Sequence, residues 1–217
     1  MPDLVIRPFQ LADRQSIFRI GADTAFFGAP IEAYMEDRNA FLDAFYAYYT
    51  DLEPEHTWVA CADGDVVGFL VGCVDTRVHN QRLLRVIIPR LTGNLLRGKY
   101  HFGKRSLHYF GGMLGGLLRR EFTQVDLDTY PAHLHINVVS AWRGYKLGQR
   151  LMEVYLRQLR KLGITGVYLD TTSLNKVACR LYVKMGFGLL DARPDRYWAK
   201  WFGHPVDNRC YGLKLLD

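Results

Sequence analysis

The chain has few cysteines and no cysteine motif. Its four thiols, Cys61, Cys73, Cys179 and Cys210, form no CxxC pair and fall at no metal-ligand spacing. A metal site built on them is therefore not expected, and scattered thiols of this kind imply a reducing cytoplasm. No apolar run approaches the length that crosses a bilayer. The start, Met1 to Arg7, lacks the long apolar stretch behind a basic region that marks a secretory signal. Internal repeats and disordered linkers are also missing. The most informative absence is acidic: no Asp or Glu lies between Arg77 and Arg120, where ten Lys and Arg residues stand. That segment carries +10 against a net charge of +6, leaving −4 for the remainder, so the basicity belongs to one segment.

What is present is ordinary for a globular protein. With 217 residues, 49% of them hydrophobic and 23% charged, the chain is long enough to bury a core. One domain over residues 1–217 is expected, interrupted by a basic helical insertion at about 77–128. Leu4 to Arg7 reads as a first strand ended by Pro8, followed by a helix from Ala12 to about Ile20. A second helical pattern spans Ile31 to about Tyr49, with Tyr34, Phe41, Phe45 and Tyr48 as an aromatic stripe. Core packing accounts for most of that stripe, and an aromatic wall beside a substrate for one or two members. Two β-rich runs around Asp63-Gly64-Asp65 form a hairpin, since glycine supplies positive φ at the turn. The insertion predicts one or two helices with a loop, broken near Pro89 and Gly93. It reads first as a packed helical insertion with solvated cations. A lid, or a surface for acidic partners or anionic lipid, is the functional alternative. No nucleic-acid recognition motif accompanies the charge.

The stretch from Pro131 to Phe187, around which the chain is organised, reads strand, glycine-containing turn, helix, strand, helix. On the strand His133 to Val139, the side chains of His133, His135 and Asn137 share one face. Two histidines there suggest a general base, and each has an ordinary structural reading beside it. A zinc site is not expected, for want of a third ligand. The turn Arg143-Gly144-Tyr145-Lys146-Leu147-Gly148 opens a helix, whose free N–H groups and dipole favour an anion. Arg143 and Lys146 add charge to it. Further on, Asn175, Ala178 and Tyr182 fall on one helical face, Asn175 as a cap and Tyr182 as a phenol able to give up a proton. Such a set suits a thioester cofactor bearing a pyrophosphate.

These residues resemble the GNAT superfamily of N-acetyltransferases. Asn175, Ala178, Tyr182, Gly186 and Phe187 match its Asn-x-x-Ala-x-x-x-Tyr-x-x-x-Gly-Phe element without exception. Its cofactor turn, Arg/Gln-x-x-Gly-x-Gly/Ala, is matched by Arg143 and Gly148, but Lys146 stands where the central glycine belongs. Tyr130-Pro131-Ala132-His133-Leu134-His135-Ile136 is similar, more narrowly, to the subgroup related to the acetyltransferase-like C-terminal domain of O-GlcNAc hydrolases and its bacterial homologues. The resemblance implies an α/β (α+β) fold with a mixed, mostly antiparallel sheet, splayed middle strands and flanking helices. The helical insertion would lie between strands 3 and 4.

As activity it implies acetyl-CoA-dependent N-acetyltransfer to a primary amine by direct transfer, with acetyl-CoA as co-substrate and no metal. Tyr182, His135 and His133 would be catalytic. Asn137, Val138, Val139, Arg143, Gly144, Tyr145, Lys146, Leu147, Gly148, Asn175 and Tyr182 would bind the cofactor, with N–H groups near Val138 and Val139 stabilising the oxyanion. A small-molecule or peptide amine is the implied acceptor, and a homodimer is compatible with the sequence. Asp23, Glu32, Glu36 and Asp37 would suit a cationic acceptor or simply be surface charge. The alternative is an inactive CoA-binding module that acts through protein or anionic-surface contacts.

Overall fold

In the computed structural model, which describes residues 2–216, seven strands form one sheet in the order β1-β2-β3-β4-β5-β7-β6. β1 (Leu4–Pro8), β2 (Thr57–Ala62) and β3 (Asp65–Cys73) make an antiparallel meander, and β4 (Ala132–Val138) adds antiparallel to β3. β5 (Gly166–Thr172) runs parallel to β4, while β6 (Gly188–Pro194) and β7 (Asp207–Lys214) complete the sheet antiparallel. The sheet is therefore mixed and mostly antiparallel, as the resemblance implies.

Alternating side chains of the strands feed two cores. Phe69, Val71 and Cys73 of β3 pack with α1 (Arg14–Thr24), α2 (Arg38–Phe45) and α3 (Ala47–Asp51). On the other face, Leu70 and Leu134 pack with α7 (Leu147–Lys161) and with Cys179 and Tyr182 of α8 (Lys176–Lys184). Tyr155 of α7 crosses to the sheet, where its hydroxyl donates to the carbonyls of Cys73 (3.0 Å) and His133 (3.1 Å). Gly72 makes this possible, because a Cβ there would lie 2.3 Å from the Tyr155 ring. Within the expected aromatic stripe, Tyr34, Phe41 and Tyr48 are buried and Phe45 is exposed.

Two local expectations are corrected. The pattern over Ile31–Tyr49 is not one helix: a tight turn at Ile31–Ala33 precedes α2, and Tyr46 (φ −114°) separates α2 from α3. Asp37 starts α2 afresh, its carboxylate accepting from Ala40 N–H at 2.8 Å. The insertion also breaks elsewhere than at Pro89 and Gly93. α4 (Thr76–Arg82) continues through a wide π turn, Leu83–Ile87, into α5 (Ile88–Leu96). The wide turn absorbs the proline, whose missing N–H and ring would disrupt a regular helix. The chain stops at Gly98 instead, which takes φ +68° and closes the helix end. α6 (Lys104–Leu118) follows and contacts α9 (Arg196–Phe202).

Candidate active site

The centre of the sheet opens. β4 and β5 pair only at Ala132–Val167 and His133–Tyr168, then part, leaving a wedge between the rest of the two strands. Which backbone groups face that wedge follows from register. Val139 N–H donates to the Val67 carbonyl at 2.9 Å, so Val139, Asn137 and His135 spend their backbone groups on β3. Ile136 and Val138, the alternate residues, turn theirs toward the gap. Val139, expected as an oxyanion donor, has its N–H already committed to β3.

The turn at the mouth of the wedge keeps the geometry that a glycine would give it. Lys146 sits at φ 59°, ψ 17°, the left-handed region, and Gly144 at φ 93°. Among the described residues, none of the N–H groups from Gly144 to Gln149 donates to a backbone carbonyl. Arg143, Gly144, Tyr145 and Lys146 are exposed. Leu147 is buried in the core, so it can serve a ligand only through its backbone. At Gly148 a Cβ would lie 3.3 Å from the Leu181 side chain, so this glycine also sets how closely α7 approaches α8. The Arg143 guanidinium lies against Gly28, in the segment after α1.

Asn175 caps α8, its side-chain oxygen accepting from Ala178 N–H at 3.3 Å. One helical face further on stands Tyr182, only 5% exposed. No hydrogen-bond partner for its hydroxyl is found among the described residues, and that oxygen is not sealed from solvent. Burial pushes the phenol well above its ordinary pKa.

The two histidines of β4 separate. Thr76 Oγ1 donates to the Pro131 carbonyl (2.8 Å), so it must accept from His133 Nδ1 (2.8 Å). His133 Nε2 is then the acceptor for the Tyr49 hydroxyl at 2.7 Å. Both ring nitrogens are occupied, and burial together with His135 and His79 holds the ring far below its usual pKa. His135, two residues on, is exposed, and no protein partner for it is found among the described residues. Its pKa is pushed down to about 4, by desolvation first and by His79.

Asn137 is placed outside the wedge. Its amide donates to Thr24 Oγ1 at 2.7 Å and its oxygen faces the Tyr46 hydroxyl at 3.5 Å, which ties β4 to α1. Asp23, Glu32, Glu36 and Asp37 are likewise engaged. Asp23 and Glu32 both pair with Arg38, at 2.6 and 2.8 Å. Asp37 caps α2 and accepts from His101 N–H at 2.7 Å. Glu36 binds the start of α6, accepting from the Ser106 hydroxyl, Ser106 N–H (2.9 Å) and Arg105 N–H (2.8 Å). These bonds, the Ser106 hydroxyl first, draw its pKa down to about 2.

Two residues escaped the sequence reading. His79 of α4 lies 4.8 Å from His133 and stacks on Tyr49 at 5.6 Å, ring centre to centre. Its position inside the basic insertion, far from β4 in sequence, gave no signal. Thr172, at the end of β5, has a buried hydroxyl without a partner among the described residues. It shares a face with Tyr168, which lies 5.7 Å from His133. Surface recesses of about 450 and 490 Å³ lie elsewhere, beside α9 and β6, and their Arg119 and Arg196 are already paired with Glu121.

The family model described as Acetyltransferase (GNAT) family matches residues 109–187. That stretch contains β4, the turn, α7, β5 and α8, which together bound the wedge. The fold is shared with the crystal structure of SsHAT over 100% of both chains, at 28% identity and a TM-score of 0.74. yncA from Salmonella typhimurium, solved with its cofactor acetyl-CoA, matches over 99% of this chain and 95% of its own (16%, TM-score 0.58). An N-acetyltransferase from Staphylococcus aureus Mu50 matches over 99% of each (15%, TM-score 0.60). Residues 109–187 thus match the Acetyltransferase (GNAT) family, in a chain that shares its whole fold with SsHAT.

Proposed function

We propose that the protein is an acetyl-CoA-dependent N-acetyltransferase that passes the acetyl group directly to a primary amine of a small molecule or peptide. The observation that carries this is the open strand edge at Ile136 and Val138 beside a turn whose N–H groups are unspent. The acetyl-CoA in yncA, a protein of the same fold, supports the choice of cofactor.

Acetyl-CoA supplies an activated acyl carbon and a sulfur leaving group. The N–H groups from Gly144 to Gln149, with the Arg143 and Lys146 side chains, would hold its pyrophosphate at the positive end of α7. Ile136 and Val138 would pair with its amide arm in the manner of an added strand. Val138 N–H is the donor available to a developing oxyanion. Of the two histidines, His135 is the one with free nitrogens. A depressed pKa keeps it neutral at pH 7, so it can accept the proton that the amine nitrogen loses as the new C–N bond forms. His133 acts as a positioning residue through Tyr49 and Thr76. Tyr182 stays protonated at neutral pH, because burial disfavours the phenolate, and so can donate to the departing thiolate.

The test is Tyr182→Phe. Turnover, followed as thiol release with a panel of amines, should fall by about 10²–10⁴-fold while acetyl-CoA affinity is kept. Unchanged turnover would remove Tyr182 from the mechanism. Binding of acetyl-CoA without transfer to any amine, in the unaltered protein, would favour an inactive CoA-binding module.

A further inference from the structure

We propose that the insertion docks this domain on an anionic lipid surface, through the apolar stripe of α6 and the unpaired cations of the same segment. Leu107, Phe110, Leu114 and Leu118 stand at i, i+3, i+7 and i+11, which is one face of the helix. They are 65%, 42%, 58% and 76% exposed. The opposite face, with Ser106, Tyr109 and Gly116, is buried against the body of the protein. α6 is therefore apolar on two sides, only one of which is packed. The preceding helices repeat the pattern, since Leu84, Ile88 and Leu95 are exposed and no residue of α5 is fully buried.

The charge carried by the same insertion selects the occupant. Five of the ten cations between residues 77 and 120 have acidic partners: Arg77 with Asp128, Arg82 with Glu53, Arg90 with Asp51, Arg105 with Glu36 and Arg119 with Glu121. The other five, Arg85, Arg97, Lys99, Lys104 and Arg120, are exposed and form no ion pair among the described residues. A second copy of the chain meeting this face would set one cationic segment against another, which disfavours it. A nucleic acid would use the cations but leave the leucines in water. An anionic lipid surface satisfies both, the apolar stripe entering the headgroup boundary and the cations meeting the lipid charge. No helix among the described residues is long and apolar enough to cross a membrane, so the contact lies in the plane of the surface.

Co-sedimentation with vesicles tests this. Vesicles of phosphatidylcholine and phosphatidylglycerol in equal parts should bind the protein, and phosphatidylcholine alone should not. Binding should weaken between about 0.1 M and about 1 M salt, as charge contacts are screened. A Leu107→Ser, Leu114→Ser double variant should lose binding, as should Lys99→Gln with Lys104→Gln, at about five-fold for each cation removed. All four positions are exposed, and melting curves identical to the parent verify that the fold is kept. Equal binding to both vesicle types, no binding to either, or anionic-vesicle binding indifferent to the leucine changes would overturn the proposal. Salt-resistant dimerisation lost in the leucine variant would overturn it in favour of a second copy.

Discussion

Replacing Lys146 with glycine separates what its backbone does from what its charge does. Lys146 holds φ 59° at the mouth of the wedge, where a Cβ is strained. Left-handed backbone costs an L-residue about 1–2 kcal/mol relative to glycine. Glycine returns about 0.4–1 kcal/mol of that through the greater freedom of the unfolded chain. The net gain is about 0.5–1 kcal/mol, and a chain of this size turns each kcal/mol into about 2–4 °C of Tm. Lys146→Gly should therefore melt about 1–4 °C higher by calorimetry. Lys146→Ala keeps the strained conformation and should show no such gain. Both variants lose an exposed cation beside the proposed pyrophosphate site, worth about 0.2–1 kcal/mol. Acetyl-CoA affinity should thus fall by about five-fold or less in each, and the difference should shrink at high salt. A Tm for the glycine variant at or below that of the parent would refute the strain argument. Equal Tm gains for glycine and alanine would do the same.

Other expectations follow from the histidines and the insertion. If His135 is the base, the rate should hold down to about pH 4–5, because the ring stays neutral until about 4, and an acid limb centred near 6.5 would point to another group. His133→Phe should leave the Tyr49 hydroxyl buried and unpaired at a cost of about 1–3 kcal/mol, read from urea unfolding midpoints. The parent's own stability should carry the signature of a buried neutral histidine. The folded pKa lies below the unfolded value, so stability is full above about pH 6.5 and declines as the unfolded chain takes up the proton below it. A flat stability between about pH 8 and about pH 5 would contradict this. Glu36→Gln should loosen the start of α6, seen as faster proteolysis between Gly98 and Lys104, and unchanged cleavage would mean that other contacts hold the insertion. In the parent the same latch should survive acidification until pH approaches about 2, because its carboxylate pKa is depressed.

The sheet and its motif helices were legible in the sequence because local signals agreed with the fold. The hairpin glycine, the alternation in His133–Val139 and the cap at Asn175 each specify their element without help from distant residues. The insertion was read less well. Pro89 and Gly93 are strong local punctuation, yet a π turn ending two residues before Pro89 and packing against α2 carry the helix through them. The site was legible as a list of residues and not as roles. That His133 is saturated while His135 is free depends on Thr76 and Tyr49, which no spacing connects to β4. That Val139 N–H is spent while Val138 faces the wedge depends on the β3 register. His79 reached the site through the tertiary path of the insertion, where sequence pattern has no reach.

Calorimetric titration of the protein with acetyl-CoA, and then with free CoA, bears most directly on the wedge. Saturable one-to-one binding of both, weakened when Arg143 is replaced by alanine and kept when Tyr182 is replaced by phenylalanine, is the predicted result. Absence of binding by the folded protein, or binding indifferent to Arg143, would contradict the assignment of the turn and the open strand edge to the cofactor.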